Sequence, residues 1–145
     1  MLKIIKKLRI KKYNKVAFRQ NDFGRIREYN CKGGLLYLEE PKSRLWCKYI
    51  MNEYGRPAIS NDSNGIEKFF IYDSNGHLIH LKCSDGFEFF KLFDSNGNCL
   101  YYENSKGTVQ QAYVDEDGTY HIVKQPDRNK NKEERINGKH KMETC

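Results

Sequence analysis

The sequence predicts an all-β protein, an antiparallel meander of repeated β-hairpins with about 8–10 strands and a charged C-terminal tail. The first observation is a 21-residue period in the glycines, and the second is a strand-like run between each pair of turn sequences. One glycine series recurs every 21 residues and another follows it by ten: Gly34, Gly55, Gly76, Gly97 and Gly118, then Gly65, Gly86 and Gly107. A fixed period of this kind indicates a stack of one small structural unit.

Each unit carries two four-residue turn sequences that end in glycine. Residues 73–76 read Asp-Ser-Asn-Gly, residues 94–97 repeat those letters, and residues 62–65 give a third copy. Glycine adopts positive backbone dihedrals easily, and Asp and Ser side chains bond the local backbone. The intervening runs, such as 66–72 and 87–93, are rich in aromatic and branched residues, as strands are. One repeat therefore predicts one hairpin.

The repeat can be followed outward from its clearest copies. Residues 45–51 give an earlier strand, residues 108–114 a later one, and residues 21–34 an N-terminal unit. About half a unit, residues 35–44, is inserted after it, and Pro41 favours a loop or an edge strand there. The repeat domain is predicted to span residues 20–125.

The repeat words resemble the YD-type repeats of the Rhs family. The resemblance rests on Phe-Phe-Ile-Tyr-Asp-Ser-Asn-Gly-His-Leu-Ile at 69–79 and on Asn-Gly-Asn-Cys-Leu-Tyr-Tyr-Glu-Asn-Ser-Lys-Gly at 96–107. Small accessory proteins of bacteriophages and mobile elements, built from the same 21-residue words, look more similar still. Residues 45–124 carry the likeness well and 18–44 loosely. Large Rhs proteins wall a cocoon around a toxin, whereas this chain has too few units to enclose anything, and no catalytic residues transfer.

Composition sets the next limits. The 145 residues suit one domain with tails, and no apolar run is long enough for a membrane helix. Lysines interrupt the apolar residues at the N-terminus, so this segment does not resemble a signal peptide. Five cysteines at irregular spacing favour free thiols. We therefore expect the protein in the cytoplasm of a host bacterium. Residues 1–19 hold eight Lys or Arg and no acid, whereas residues 20–127 hold 12 basic and 16 acidic side chains.

The two ends are predicted separately. Residues 1–19 read as a basic N-terminal arm or edge hairpin: Leu2, Ile4, Leu8 and Ile10 alternate like a strand, while Met1, Ile5 and Leu8 line one helix face. A hairpin starting near Leu8 is favoured. Its basic side chains either discourage edge aggregation or contact nucleic acid or an acidic protein. Residues 126–145 are expected to be a charged tail, disordered or a short helix.

A search for chemistry predicts no enzyme, no cofactor and no metal. His77, His80 and Cys83, with Cys99, form the best zinc candidate, yet strand parity turns residue 80 away from 77 and 83. The recurring turn aspartates are explained by turn shape alone.

Aromatic columns supply the remaining candidates for a binding surface. Tyr72 and Phe93 occupy equivalent positions, as do Phe69 and Phe90, and doublets such as 101–102 place aromatics on both faces. One column must be core. Either a second layer covers both faces or one aromatic column is exposed for a partner, and a core with partial exposure is favoured. The predicted partner-binding residues are Lys6, Lys7, Arg9, Lys11, Lys12, Lys15, Arg19, Trp46, Tyr72, Phe93, Tyr101 and Tyr102.

Together these features predict a non-enzymatic binding protein of a phage or mobile element. Its expected target is a host protein or ribonucleoprotein, and the concrete version is an anti-CRISPR inhibitor of an RNA-guided Cas nuclease, with possible RNA contact and no membrane. Acidic turns would mimic nucleic acid and basic ends would grip guide RNA. Two alternatives remain open: a stand-alone nucleic-acid-binding protein that uses the basic arm, and a structural repeat module.

Overall fold

The fold is known from a computed structural model that describes residues 1–123, so the prediction for residues 126–145 lies outside the described part. Residues 1–123 form one α-helix and eleven β-strands. The elements are α1 Leu2–Tyr13, β1 Phe18–Asp22, β2 Arg25–Tyr29, β3 Leu35–Glu40, β4 Leu45–Met51, β5 Pro57–Asp62, β6 Glu67–Tyr72, β7 Leu78–Cys83, β8 Glu88–Phe93, β9 Cys99–Asn104, β10 Val109–Val114 and β11 Tyr120–Val123.

The eleven strands form one open antiparallel sheet whose spatial order follows the chain. The predicted all-β meander is therefore confirmed, with one strand more than expected. The extra strand comes from the insertion at 35–44, which was expected to be a loop or an edge strand. It instead forms β3, an internal strand paired with both β2 and β4, and Pro41 lies in the turn that follows it.

The N-terminal segment corrects the favoured prediction, because the edge hairpin expected from near Leu8 is the helix α1. The first ladder bond of β1 runs from Ala17 N to Tyr29 O at 2.8 Å, and the sheet begins with β1. As an edge strand, residues 2–13 would leave one row of backbone groups to solvent, whereas a helix satisfies its backbone internally.

A side-chain acceptor bonds the backbone in seven of the ten turns that join the described strands. At the β6–β7 turn, Asp73 Oδ1 accepts from the N–H groups of Asn75 and His77, both at 2.9 Å. Gly76 N donates back to Asp73 O at 3.0 Å, and its φ of 88° lies in the left-handed region that suits glycine. The same pair of side-chain bonds recurs at six further positions: Asn30, Asn52, Asp62, Asp94, Asn104 and Asp115.

The serine of alternate turns bonds a distant strand rather than its own turn. Ser84 Oγ accepts from Glu67 N at 2.9 Å, and Ser84 N donates to Glu67 O at 2.8 Å. Ser63 makes the same pair of bonds to Trp46, and Ser105 makes it to Glu88. The serine thus extends the hydrogen-bond pattern between the strands by one residue. It satisfies the backbone at the start of a strand that lies 17 residues earlier in the chain.

The chain divides into two compact units. Unit 1 comprises residues 1–71 and 81–86, and its most buried side chains include Leu36, Met51 and Cys83. The described part of unit 2 comprises residues 72–80 and 87–123, and its most buried side chains are Cys99, Tyr102 and Gln110. Both cores are thin, since each is built on one face of a single sheet.

Gln110 is the least expected member of the unit 2 core. Its side chain is 1% exposed, and neither amide atom has a hydrogen-bond partner within residues 1–123. The same repeat position holds Phe89 one unit earlier. A buried amide without partners costs free energy, because it has lost its water.

We predict that Gln110→Met raises the free energy of unfolding by about 1 kcal/mol, because it removes an unsatisfied buried amide at nearly constant volume. Urea denaturation followed by tryptophan fluorescence measures the change. The control is Gln111→Met, an exposed neighbour on the opposite face, which should change stability little. A less stable Gln110→Met variant would show that the amide is satisfied after all.

The turn carboxylates predict a dependence on acid. The side-chain amide of Asn98, then the N–H groups of Asn98 and Asn96, hold the pKa of Asp94 below its ordinary value of 3.8. A depressed folded-state pKa contributes stability that is present above the unfolded value and lost as pH falls through the folded value. Wild type should therefore lose stability steadily below about pH 4.

Asp94→Asn tests this directly, because Asn52 and Asn104 already make the same turn bonds with an amide. Between about pH 5 and pH 2, the variant should lose less unfolding free energy than wild type in parallel urea titrations. Asp117→Asn removes the same charge from another turn position and should retain the wild-type slope. Equal losses in wild type and Asp94→Asn would refute the assignment.

Candidate binding surface

Strand parity in unit 2 separates two faces that both carry aromatic side chains. On β8, Phe90 and Leu92 are exposed by 41% and 60%, whereas Phe89 and Phe93 are only partly exposed. Cross-strand pairing extends the exposed side, since Leu92 lies opposite Tyr101 and Phe90 lies opposite Glu103. On β10 the exposed side continues with Tyr113, which is 52% exposed.

We call this side the acidic–aromatic face of unit 2. It is defined by Glu88, Phe90, Leu92, Tyr101, Glu103 and Tyr113. Within the described part of unit 2, none of the strand residues on this side is Lys or Arg. Lys91 lies on the opposite side, where its ammonium sits 5.0 Å from the centroid of Phe89 and 5.5 Å from that of Tyr102. Carboxylates are therefore the charged groups that the strands present among these apolar side chains.

The opposite face supplies the core and corrects one predicted contact. Tyr102 was expected to bind a partner, yet it is 3% exposed and its ring lies 5.9 Å from that of Phe89. It pairs in register with Lys91 and with Gln110, both on the inner side. Tyr102 is thus a structural residue, whereas its neighbour Tyr101 points outward.

Hydrogen bonds fix the polar groups of the acidic–aromatic face. The Tyr101 hydroxyl donates to Glu103 Oε2, and this bond, followed by partial burial and the nearby charge, raises the pKa of Tyr101 above its ordinary value. His80 Nε2 lies 2.7 Å from Glu88 Oε1, and its ring stacks on Phe90 with centroids 4.1 Å apart. These contacts position Phe90, Tyr101 and the two carboxylates on the face.

The same three-part arrangement of carboxylate, imidazole and aromatic ring occurs three times in unit 2. His121 bonds Asp115 at 2.6 Å and stacks on Tyr113 at 5.0 Å. His77 bonds Asp73 at 3.3 Å and stacks on Phe93 at 4.8 Å. Each histidine therefore has its own carboxylate and its own ring.

The zinc candidate does not gain ligands from this arrangement. Within residues 1–123, no three His, Cys, Asp or Glu side chains are grouped so as to hold a metal ion. Cys83 is a free thiol, and burial raises its pKa above the ordinary value, which keeps it protonated and unreactive at neutral pH.

Unit 1 presents a second exposed element, the helix α1. Six of its twelve residues are Lys or Arg, none is acidic, and none of its side chains is buried. The predicted contacts Lys6, Lys7, Arg9, Lys11 and Lys12 all lie on it.

Two asparagines attach the C-terminal end of α1 to the sheet of unit 1. Asn14 Nδ2 donates to Met51 O at 2.9 Å and its Oδ1 accepts from Met51 N at 2.7 Å, so the amide imitates a strand neighbour at the end of β4. Asn30 Nδ2 donates to Tyr13 O at 2.9 Å, and Lys32 Nζ lies 4.8 Å from the centroid of the Tyr13 ring. No pattern in the sequence indicates this attachment, because an asparagine in a basic segment reads as a loop residue.

The other predicted contacts are distributed over both units. Lys15 and Arg19 follow α1 and are exposed, while Trp46 lies half-buried on β4 with Lys48 Nζ 5.4 Å from its ring. Tyr72 and Phe93 are half-buried at the ends of β6 and β8. The more exposed aromatic column is the one through Phe69 and Phe90, because parity puts it on the outer face. The sequence identified both columns but could not say which faces water.

The two units carry opposite net charges. Unit 1 holds seventeen Lys and Arg against eight Asp and Glu, a balance of +9. The described part of unit 2 holds two against seven, a balance of −5. Residues 1–19 contribute +8 of the balance of unit 1, so its basic character lies almost entirely in the N-terminal segment.

The chain matches no protein-family model and no curated protein sequence. Among residues 1–123, the structure contains no helix that is long and apolar enough to cross a membrane.

We predict that Asn14→Ala lowers the free energy of unfolding by about 1–3 kcal/mol, because both backbone groups of Met51 lose their partner. Amide exchange should become faster at Met51 and throughout α1. Asn64→Ala, at an exposed turn position, is the control and should leave both quantities near wild type. Unchanged exchange at Met51 in Asn14→Ala would refute the anchoring role.

Proposed function

We propose that this is a non-enzymatic binding protein whose acidic–aromatic face docks on a basic surface of a protein partner. The observation that carries the proposal is the row of exposed Phe90, Leu92 and Tyr113 among the carboxylates of Glu88 and Glu103. Exposed aromatic and aliphatic side chains on a rigid sheet are characteristic of interaction surfaces.

The charge of the face indicates the chemistry of the partner. Carboxylates on a face without Lys or Arg attract a surface that is rich in those residues, and they raise the rate of association. Grooves that bind nucleic acid are surfaces of this kind, since they neutralise phosphates with basic side chains. A protein that normally holds nucleic acid therefore fits the face.

The more specific proposal names the source and the target. The resemblance of the repeat words to small accessory proteins of phages and mobile elements favours interference with a host defence complex. We propose an RNA-guided nuclease of the CRISPR type as that complex, with the acidic–aromatic face competing for its nucleic-acid groove. Support for this step comes from the repeat resemblance and from the charge of the face.

The test uses purified full-length protein and a purified RNA-guided nuclease with its guide. Wild type should bind the complex and slow target cleavage. Leu92→Ser should weaken binding by about thirtyfold, as expected for a central contact worth about 2 kcal/mol. Glu88→Gln with Glu103→Gln should weaken it by about tenfold, mainly through slower association at low salt.

Matched controls separate the face from general charge and hydrophobicity. Phe23→Ser removes an exposed apolar side chain from unit 1, and Glu116→Gln removes a carboxylate from the β10–β11 turn. Both should bind as wild type does. If the variants of the face bind as tightly as these controls, the acidic–aromatic face is not the docking surface.

A further inference from the structure

The helix α1 carries a positive charge that the described part of the protein does not neutralise. No carboxylate within residues 1–123 forms an ion pair with any of its six basic side chains, and the described ion pair of Arg25 with Glu40 lies elsewhere. The exposed Lys15 and Arg19 continue the same charge toward β1.

The helix is also poorly stabilised by its own sequence. Lys3, Lys7 and Lys11 follow one another at spacings of four residues, which places like charges side by side on the helix surface. The first turn has no acidic residue, the N-cap Met1 makes no side-chain bond, and no side chain is buried. An isolated helix of this length is marginal in water. Attachment by Asn14 and Asn30 at one end leaves the other turns accessible.

We propose that α1 is a nucleic-acid-binding element that contacts the phosphate backbone. A row of phosphates supplies the missing negative charge and removes the repulsion between Lys3, Lys7 and Lys11. A twelve-residue helix is about 18 Å long and fits the major groove of B-form DNA, which is about 12 Å wide. This function goes beyond the proposed protein docking, because it uses another unit and needs no protein partner.

The distribution of charge favours nucleic acid over a membrane surface. Ile4, Ile5 and Leu8 face one side of α1, but Lys11 and Lys12 lie on that same side. A membrane-surface helix needs a continuous apolar face, and this helix has none. Basic side chains around the whole circumference suit a groove, where phosphates lie on both sides of the helix.

The first experiment measures binding of the full-length protein to short duplex DNA and duplex RNA of mixed sequence, by fluorescence anisotropy between about 50 and 200 mM salt. Affinity should fall steeply with salt. The test variant is Lys6→Gln, Lys7→Gln, Lys11→Gln, and the matched control is Lys42→Gln, Arg44→Gln, Lys82→Gln, which removes equal charge from exposed positions of unit 1. The affinity of the test variant should fall at least about tenfold at low salt, and its salt slope should become shallower by about 0.9 for each phosphate that it no longer neutralises.

A second readout separates a binding element from a solvated charge run. Saturating duplex should slow amide exchange across residues 3–8, because phosphates relieve the repulsion and stabilise the helix. The control variant should behave as wild type in both measurements. The duplex that binds with the higher affinity, DNA or RNA, identifies the type of nucleic acid that supplies the phosphates.

Three outcomes would overturn the proposal. They are equal affinity losses in the test and control variants, unchanged exchange in α1 on saturation, and binding to phosphatidylserine vesicles without binding to either duplex. Glu88→Gln with Glu103→Gln leaves α1 intact and should bind duplex at least as well as wild type. Failure of the docking proposal is therefore distinguishable from failure of this one.

Discussion

The structure depends on one local arrangement, the Asp or Asn side chain that accepts two backbone N–H groups in a turn closed by glycine. A hairpin turn leaves several backbone donors without partners, and the side chain at its first position satisfies two of them. The arrangement recurs along the meander with little change in bond length. It fixes where each strand ends, and hence which residues face inward. The aromatic columns and the acidic–aromatic face are consequences of that repetition.

The turn at residues 83–86 departs from this arrangement. Cys83 is buried and occupies the position that Asp or Asn holds in the seven turns with this arrangement, and a thiol is a weak hydrogen-bond acceptor. Ser84 does not replace that acceptor, because its hydroxyl and N–H bond the backbone of Glu67 on an earlier strand. The same serine bonds in two sibling turns show that the second position carries a separate function, the closure of an earlier strand.

Much of the fold could be predicted from the sequence because its signals are local. The glycine period, the turn words and the alternating runs are each short-range patterns, and together they predicted the meander, its repeat and the two-faced aromatic pattern. The prediction failed where a distant contact decides. The helix over residues 2–13 is attached to distant Met51 through Asn14, and β3 is internal because β2 and β4 both pair with it. Neither feature can be predicted from the local sequence of the segment that shows it.

The candidate site was predictable only in part for a similar reason. The alternation of side chains along the strand placed Phe90 and Phe93 on opposite faces of the sheet. Because both faces carry aromatic residues, the sequence alone could not show which face is exposed to solvent. Tyr102 was placed on the wrong side of that choice, whereas Tyr101 was not. The basic residues were found at once, since charge needs no partner to be recognised. Their attachment through Asn14 to Met51 was missed, because it joins positions 37 residues apart.

A sheet in which every strand pairs with its neighbours along the chain has a consequence for how the protein is made. No pairing between strands has to wait for a distant part of the sequence, so each hairpin can close as soon as it leaves the ribosome. The growing edge then serves as the template for the next strand. By the same reasoning, a duplication or deletion of one whole repeat inside the array shifts no other pairing. The number of hairpins can therefore change without altering how the remaining strands pair.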